Sequence, residues 1–171
     1  MPSIIRNGKV VADNWLAVDT VDGTLPQPLP DGDLIVPLAL WLAHRDALIG
    51  RGGRLGIRLE GHDDPEPIAQ DIGYFDLIAV NFPQFTDGRG YSLARLLRER
   101  FGYRGELRAV GDVLRDNLFY LSRCGFNAFE LADSEDPAAA LAGLDDFSDG
   151  YQSSVERPQP LFRRRIVGAS A

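Results

Sequence analysis

Cysteine is almost absent from this chain of 171 residues: Cys124 stands alone. A single thiol excludes an intramolecular disulfide and fits a reducing compartment. It also excludes an iron–sulfur cluster held within the chain, which needs about four thiolates. Lysine is equally scarce, since Lys9 stands beside 17 arginines. Schiff-base chemistry would therefore depend on a residue next to a turn signal, a poor place for it. No apolar run reaches the roughly 18 residues of a membrane span. Met1 to Val11 lacks the basic segment and continuous apolar stretch of a secretory signal. We expect a cytoplasmic protein without a membrane partner. The balance of charge is −7, which argues against nucleic acid, because phosphate binding needs a basic surface. G-x-G-x-x-G, Walker, G-x-S-x-G and C-x-x-C patterns are missing as well. Classical nicotinamide binding is thus unsupported. No cofactor is expected, although a flavin on an atypical phosphate loop stays open.

What is present is globular: 44% hydrophobic and 25% charged residues, with no low-complexity tract. We expect a single domain over residues 1–171, made of an N-terminal hairpin and loop (1–32), a βα core (33–148) and a tail (149–171). Residues 4–18 read as a β-hairpin around Asn7-Gly8, the dipeptide that supplies the positive φ angles of a two-residue turn. From Asp33 onward, short apolar runs alternate with helical spacing. Leu34–Val36, Leu55–Leu59, Leu77–Val80, Leu107–Val110 and Ala128–Leu131 read as strands. Helices follow at Leu38–Ile49, after Asp64-Pro65-Glu66, at Ser92–Phe101, after Asp112 and after Asp136-Pro137. Five βα units imply an α/β fold with a parallel sheet and right-handed crossovers. A flavodoxin-like doubly wound sheet is the first choice, and a divergent or incomplete βα barrel the second.

In either architecture ligands bind beyond the carboxyl ends of the strands. The longest connection there carries Thr86, Asp87, Gly88, Arg89, Gly90, Tyr91 and Ser92 up to a helix start, which suits a small anion. The competing reading is a turn-and-cap segment with solvated Asp87 and Arg89. Asn81, Asp112 and Glu130 sit at successive strand ends. They could hold a hard cation, but a cap and an ion pair are the commoner roles, and no metal is expected. His62 is the only histidine at a strand end; general base and surface loop residue are its two readings. Cys124 reads as a small buried hydrophobe. In the tail, Leu161-Phe162 and Arg163-Arg164-Arg165 could dock on an acidic partner or pack on their own domain.

Several stretches together resemble a known family: Phe85-Thr86-Asp87-Gly88-Arg89-Gly90-Tyr91-Ser92, Gly105 to Asp116, Arg123-Cys124-Gly125-Phe126, and Arg157-Pro158-Gln159-Pro160-Leu161-Phe162-Arg163. They are similar to small bacterial proteins described as oxidoreductases of sulfite reduction and encoded beside assimilatory sulfite reductase. The resemblance spans roughly Ile4 to Arg165. It implies a pathway, sulfite to sulfide in cysteine synthesis, and carries over no catalytic residue. Because one thiol cannot cage a cluster, it favours an accessory that assists sulfite reductase, or its electron donor, in assembly, electron delivery or cofactor loading. The alternative is a small enzyme for a phosphorylated or sulfonated metabolite held by the Thr86–Ser92 loop, or a flavin-dependent oxidoreductase.

Overall fold

A computed structural model describes residues 2–19, 23–147, 150, 152–161 and 163–164. The hairpin forms around Asn7-Gly8 but ends at Ala12, and Leu16, expected in its second arm, belongs to a strand at the opposite edge of the sheet. β1 (Ser3–Arg6) and β2 (Lys9–Ala12) are antiparallel, and Asn7 and Gly8 both have positive φ, 50° and 72°. The chain continues through β3 (Leu16–Ala17), β4 (Leu34–Pro37), α1 (Leu38–Ile49), β5 (Leu55–Glu60) and β6 (Leu77–Phe82). Then come α2 (Arg89–Glu99), β7 (Glu106–Gly111), α3 (Leu118–Arg123), β8 (Ala128–Phe129) and α4 (Pro137–Ala140). Asp136 caps α4 by accepting from the backbone N–H of Ala138 and Ala139, with Pro137 at the first helical position.

Two expected helices are corrected. Asp64-Pro65-Glu66 opens only a 3-10 turn (Glu66–Ile68), followed by a second (Ile72–Tyr74). The cap chemistry is real, since Asp64 accepts from Glu66 N–H, but Gly73 and the return to Phe75 leave no room for further turns. Asp112 caps no helix either; a 3-10 turn (Arg115–Asn117) begins after Leu114 and leads into α3.

One sheet holds eight strands in the order β2-β1-β8-β7-β6-β5-β4-β3, in place of five simple βα units. β3 to β8 are mutually parallel, and β1 joins antiparallel to β8. The order from β4 to β8 never reverses, so there is no switch point and the doubly wound expectation does not hold. The incomplete-barrel reading is the nearer one. β2 and β3, at opposite edges of the order, are separated in sequence only by Asp13, Asn14 and Trp15. Such a link spans at most about 15 Å. A flat sheet of this many strands would set its edges roughly 34 Å apart. The sheet must therefore curl until one chain segment serves both edges. Asp13 N–H still bonds Pro2 O beside β1, whereas Leu16 N–H already bonds Asp33 O beside β4.

The pleat divides the side chains. Val36, Ile57, Leu59, Ile78, Val80, Leu107, Ala109 and Phe129 face outward and form one core with Leu40, Trp41, Leu93, Leu97, Leu118 and Leu121 of the helices. Ile35, Leu77, Ala79 and Val110 alternate with them and pack with Trp15 in a smaller inner cluster. The inner face, enclosed by the curl, is called the lumen below. No helix among the described residues is long and apolar enough to cross a membrane.

Candidate functional site

Several lumen positions on β5 and β7 are ionic where a barrel core is ordinarily aliphatic. Register stacks them in layers. Arg58, Ala79, Arg108 and Ala128 are successive partners across β5 to β8, and Glu60, Asn81 and Val110 are partners one layer nearer the carboxyl ends. The alanines leave room for the two long guanidinium side chains beside them.

Arg108 is fully buried, a costly state for a charge unless it is paired. Its Nε and Nη2 donate to Glu106 Oε1 at 2.9 and 2.7 Å. Nη1 and Nη2 donate to Asp13 Oδ2 and Oδ1 at 2.9 and 3.2 Å. Arg6 adds a 3.5 Å bond to the other oxygen of Glu106. Glu130 stands 3.9 Å from Arg108 Nη1, outside hydrogen-bond reach. Burial pushes the Glu130 carboxyl above the usual carboxylate range. Arg108 pulls against that shift, Asp13 adds to it, Arg58 opposes it and Asp133 adds to it.

Above this network lies an open cavity of about 190 Å³ lined by Ala17, Ile35, Arg58, Ala79, Asn81, Val110, Gly111 and Glu130. Arg58 Nη2 pairs with Asp19 at 2.6 Å, but its Nε is buried and has no hydrogen-bond partner among the described residues; Glu60 is 3.9 Å away. Asn81 Nδ2 donates to Glu60 Oε2 at 2.8 Å, which fixes the amide. A larger hollow of about 370 Å³ lies away from the strand ends, among Phe119, Ser122, Arg123, Leu144, Glu156 and Arg157. Arg123 donates there to Gln152 O.

Of the strand-end residues picked out in the sequence, the fold brings Asn81 and Glu130 to one cavity and leaves the other two outside. Asp112 Oδ2 accepts from Phe85 N–H at 2.8 Å and braces the following loop. His62 is an exposed turn residue, 4.0 Å from Asp63. In the Thr86–Ser92 segment, Arg89 Nε and Nη2 donate to Asp87 at 2.9 and 2.6 Å. These side-chain bonds, helped by Arg89 N–H, hold the Asp87 carboxyl down at about 2. An anion arriving there would have to displace a carboxylate from the fork. Gly90 has a packing reason: an added Cβ would come within 2.6 Å of the Phe82 ring. Tyr91 accepts a bond from Asn117 Nδ2 at 3.1 Å. Among the described residues, no three His, Cys, Asp or Glu are grouped to hold a metal ion. Cys124 is buried, and burial pushes its thiol upward. Phe162 and Arg165 of the tail lie outside the described residues.

Sequence reasoning passed over Arg58, Arg108 and Asp13. A signal for two of them was available: in Leu55–Glu60 and Glu106–Gly111, charged residues occupy alternate positions of otherwise apolar strands. With both faces covered, that alternation means a polar lumen.

No curated protein matches the chain. Residues 56–162 match the family model described as "Bacterial protein of unknown function (DUF934)". Those residues include β6 to β8 and all of β5 but Leu55, and they contain Arg58, Asn81, Arg108 and Glu130. The match covers more than half of the sequence, and the chain belongs to this family.

Proposed function

We propose that this protein is a cytoplasmic accessory of bacterial sulfite reduction that holds a small oxyanion, sulfite in the first instance, in the mouth of its curled sheet. The pathway rests on the resemblance to proteins encoded beside sulfite reductase, with that enzyme or its electron donor as partner. The site rests on one observation: Arg58, a residue lining a small open cavity, carries a buried Nε–H that has no acceptor among the described residues. A buried donor left unmade costs about 1–3 kcal/mol, which an oxyanion would recover. The cavity's volume of about 190 Å³ is below the roughly 300–1,000 Å³ usual for larger ligands, so a flavin ring system fits it poorly. Asn81 and Gly111 add polar groups to the wall. Two experiments test the proposal. Deletion of the gene should impair growth on sulfate and sulfite and spare growth on sulfide; equal growth on all three removes the pathway. Calorimetry should show sulfite binding that Arg58→Ala weakens roughly 10- to 150-fold, the worth of a charge-assisted hydrogen bond. Unchanged binding in that variant removes the site.

A further inference from the structure

We infer that Glu130 is the proton-carrying residue of the mouth cavity: an oxyanion binds there together with one proton, which settles on the Glu130 carboxyl and is donated back to the ligand in a hydrogen bond. The inference rests on the oxyanion reading above and deepens it.

Arg6, Arg58 and Arg108 share the lumen and its rim with Asp13, Asp19, Glu60, Glu106 and Glu130. With all of them ionised, the acids exceed the bases by two. No cation is in surplus, and an incoming anion adds to the excess in a cavity where the Glu130 side chain is half exposed. Neutralising one acid lowers the cost of holding the anion.

Geometry selects which. Asp13 and Glu106 each take two bonds from Arg108, and Asp19 holds Arg58 at 2.6 Å. Glu60 accepts from Asn81. Glu130 is the remaining cavity-wall acid, and its one cationic contact is the 3.9 Å approach to Arg108. The groups that act on it come from several elements: Arg108 from β7, Arg58 from β5, Asp13 from the β2–β3 link and Asp133 from the segment after β8. Burial is the largest influence, and the net effect raises the carboxyl's proton affinity. In chemical balance, the carboxylate takes one proton from solvent per anion bound. Its O–H then donates to a ligand oxygen across the cavity from Arg58. Release of the anion returns the proton.

Sulfate is the probe that isolates this proton, because it stays fully ionised between about pH 5 and 8, whereas sulfite itself titrates there. Calorimetry of sulfate binding to the whole protein, repeated in buffers of different ionisation enthalpy, counts protons directly and needs no variant. The expected result is close to one proton taken up per sulfate at the alkaline end, with affinity falling toward tenfold per pH unit. Glu130→Gln should bind sulfate with no proton uptake and little dependence on pH. Sulfate binding to the wild type without proton uptake overturns this inference and leaves the oxyanion site standing. A pH profile of Glu130→Gln that matches the wild type overturns it as well. Failure of both sulfate and sulfite to bind the wild type across the range overturns the oxyanion reading itself.

Discussion

Replacing Arg108 by methionine tests whether the lumen is held together ionically. The side chain is fully buried and makes four hydrogen bonds to two carboxylates, Asp13 and Glu106, which are themselves 9% and 13% exposed. Methionine fills a similar volume and removes the charge, leaving both acids buried without their main cation. Breaking a buried pair from one side costs about 3–5 kcal/mol, because the uncompensated partner keeps its desolvation penalty. For a chain of this length, a loss of that size lowers Tm by roughly 6–20 °C. Urea denaturation followed by circular dichroism measures it, and the loss should vary little with added salt, since buried pairs are weakly screened. Arg108→Lys should fall between, as it keeps the charge and loses the fork. Adding Asp13→Asn and Glu106→Gln to Arg108→Met removes the orphaned charges and should recover much of the stability. If Arg108→Met alone lies within about 1 kcal/mol of the wild type, or the triple variant is no better than the single one, the ionic account of the lumen is wrong.

Glu130→Gln should raise Tm at neutral pH. The folded state holds the Glu130 proton to higher pH than the unfolded chain, so stability declines as pH rises through the window above the ordinary carboxylate value. Thermal melts of the two proteins should converge below about pH 4. Arg89→Ala should leave sulfite affinity unchanged while the Asp87 carboxyl climbs from about 2, an effect read by carbon-detected NMR titration. Tenfold weaker sulfite binding in that variant would move the site back to the loop. Gly90→Ala should destabilise by about 1–3 kcal/mol in urea, since its Cβ meets the Phe82 ring and both lie in the core.

The parts legible in the sequence are those with local causes. Asn7-Gly8 declares its turn because few other pairs accept two positive φ angles. Asp136-Pro137 marks a helix start because both the cap and the missing N–H act within one turn. The Asp64-Pro65-Glu66 pattern misleads for the same reason: cap chemistry fixes a first turn, while continuation depends on what the next residues can bury. The closure of the sheet had no local sign. Pairing of Ile5 with Phe129 joins segments far apart in the chain, and Leu16 pairs with Leu34, well beyond it in sequence. The site was legible in half. Asn81 and Glu130 come from the rule about strand ends, but the same rule also offered His62 and Asp112, which curl and loop packing place elsewhere. Thr86–Ser92 looked ligand-ready because glycine serves close packing and anion binding equally well; only the Phe82 ring and the Asp87 carboxylate distinguish them.

Because β1 must wait for β8, the molecule has an order of assembly built into its connectivity. During synthesis the hairpin leaves the ribosome well before β8, its partner across the sheet, while β4 to β7 can dock as each crossover is completed. Only when Ala128 and Phe129 are available can Ile5 and Arg6 pair, and the sheet close behind them. Until then Asp13 and Arg108 stay apart in water, so their dehydration belongs to the final docking of the two ends. A nascent chain stopped short of Ala128 would expose the unpaired flanks of both β1 and β7, the kind of edge on which strangers pair. Contacts this distant in sequence also slow folding. The hairpin therefore acts as a late clasp, whose delay sets how long the sheet stays open.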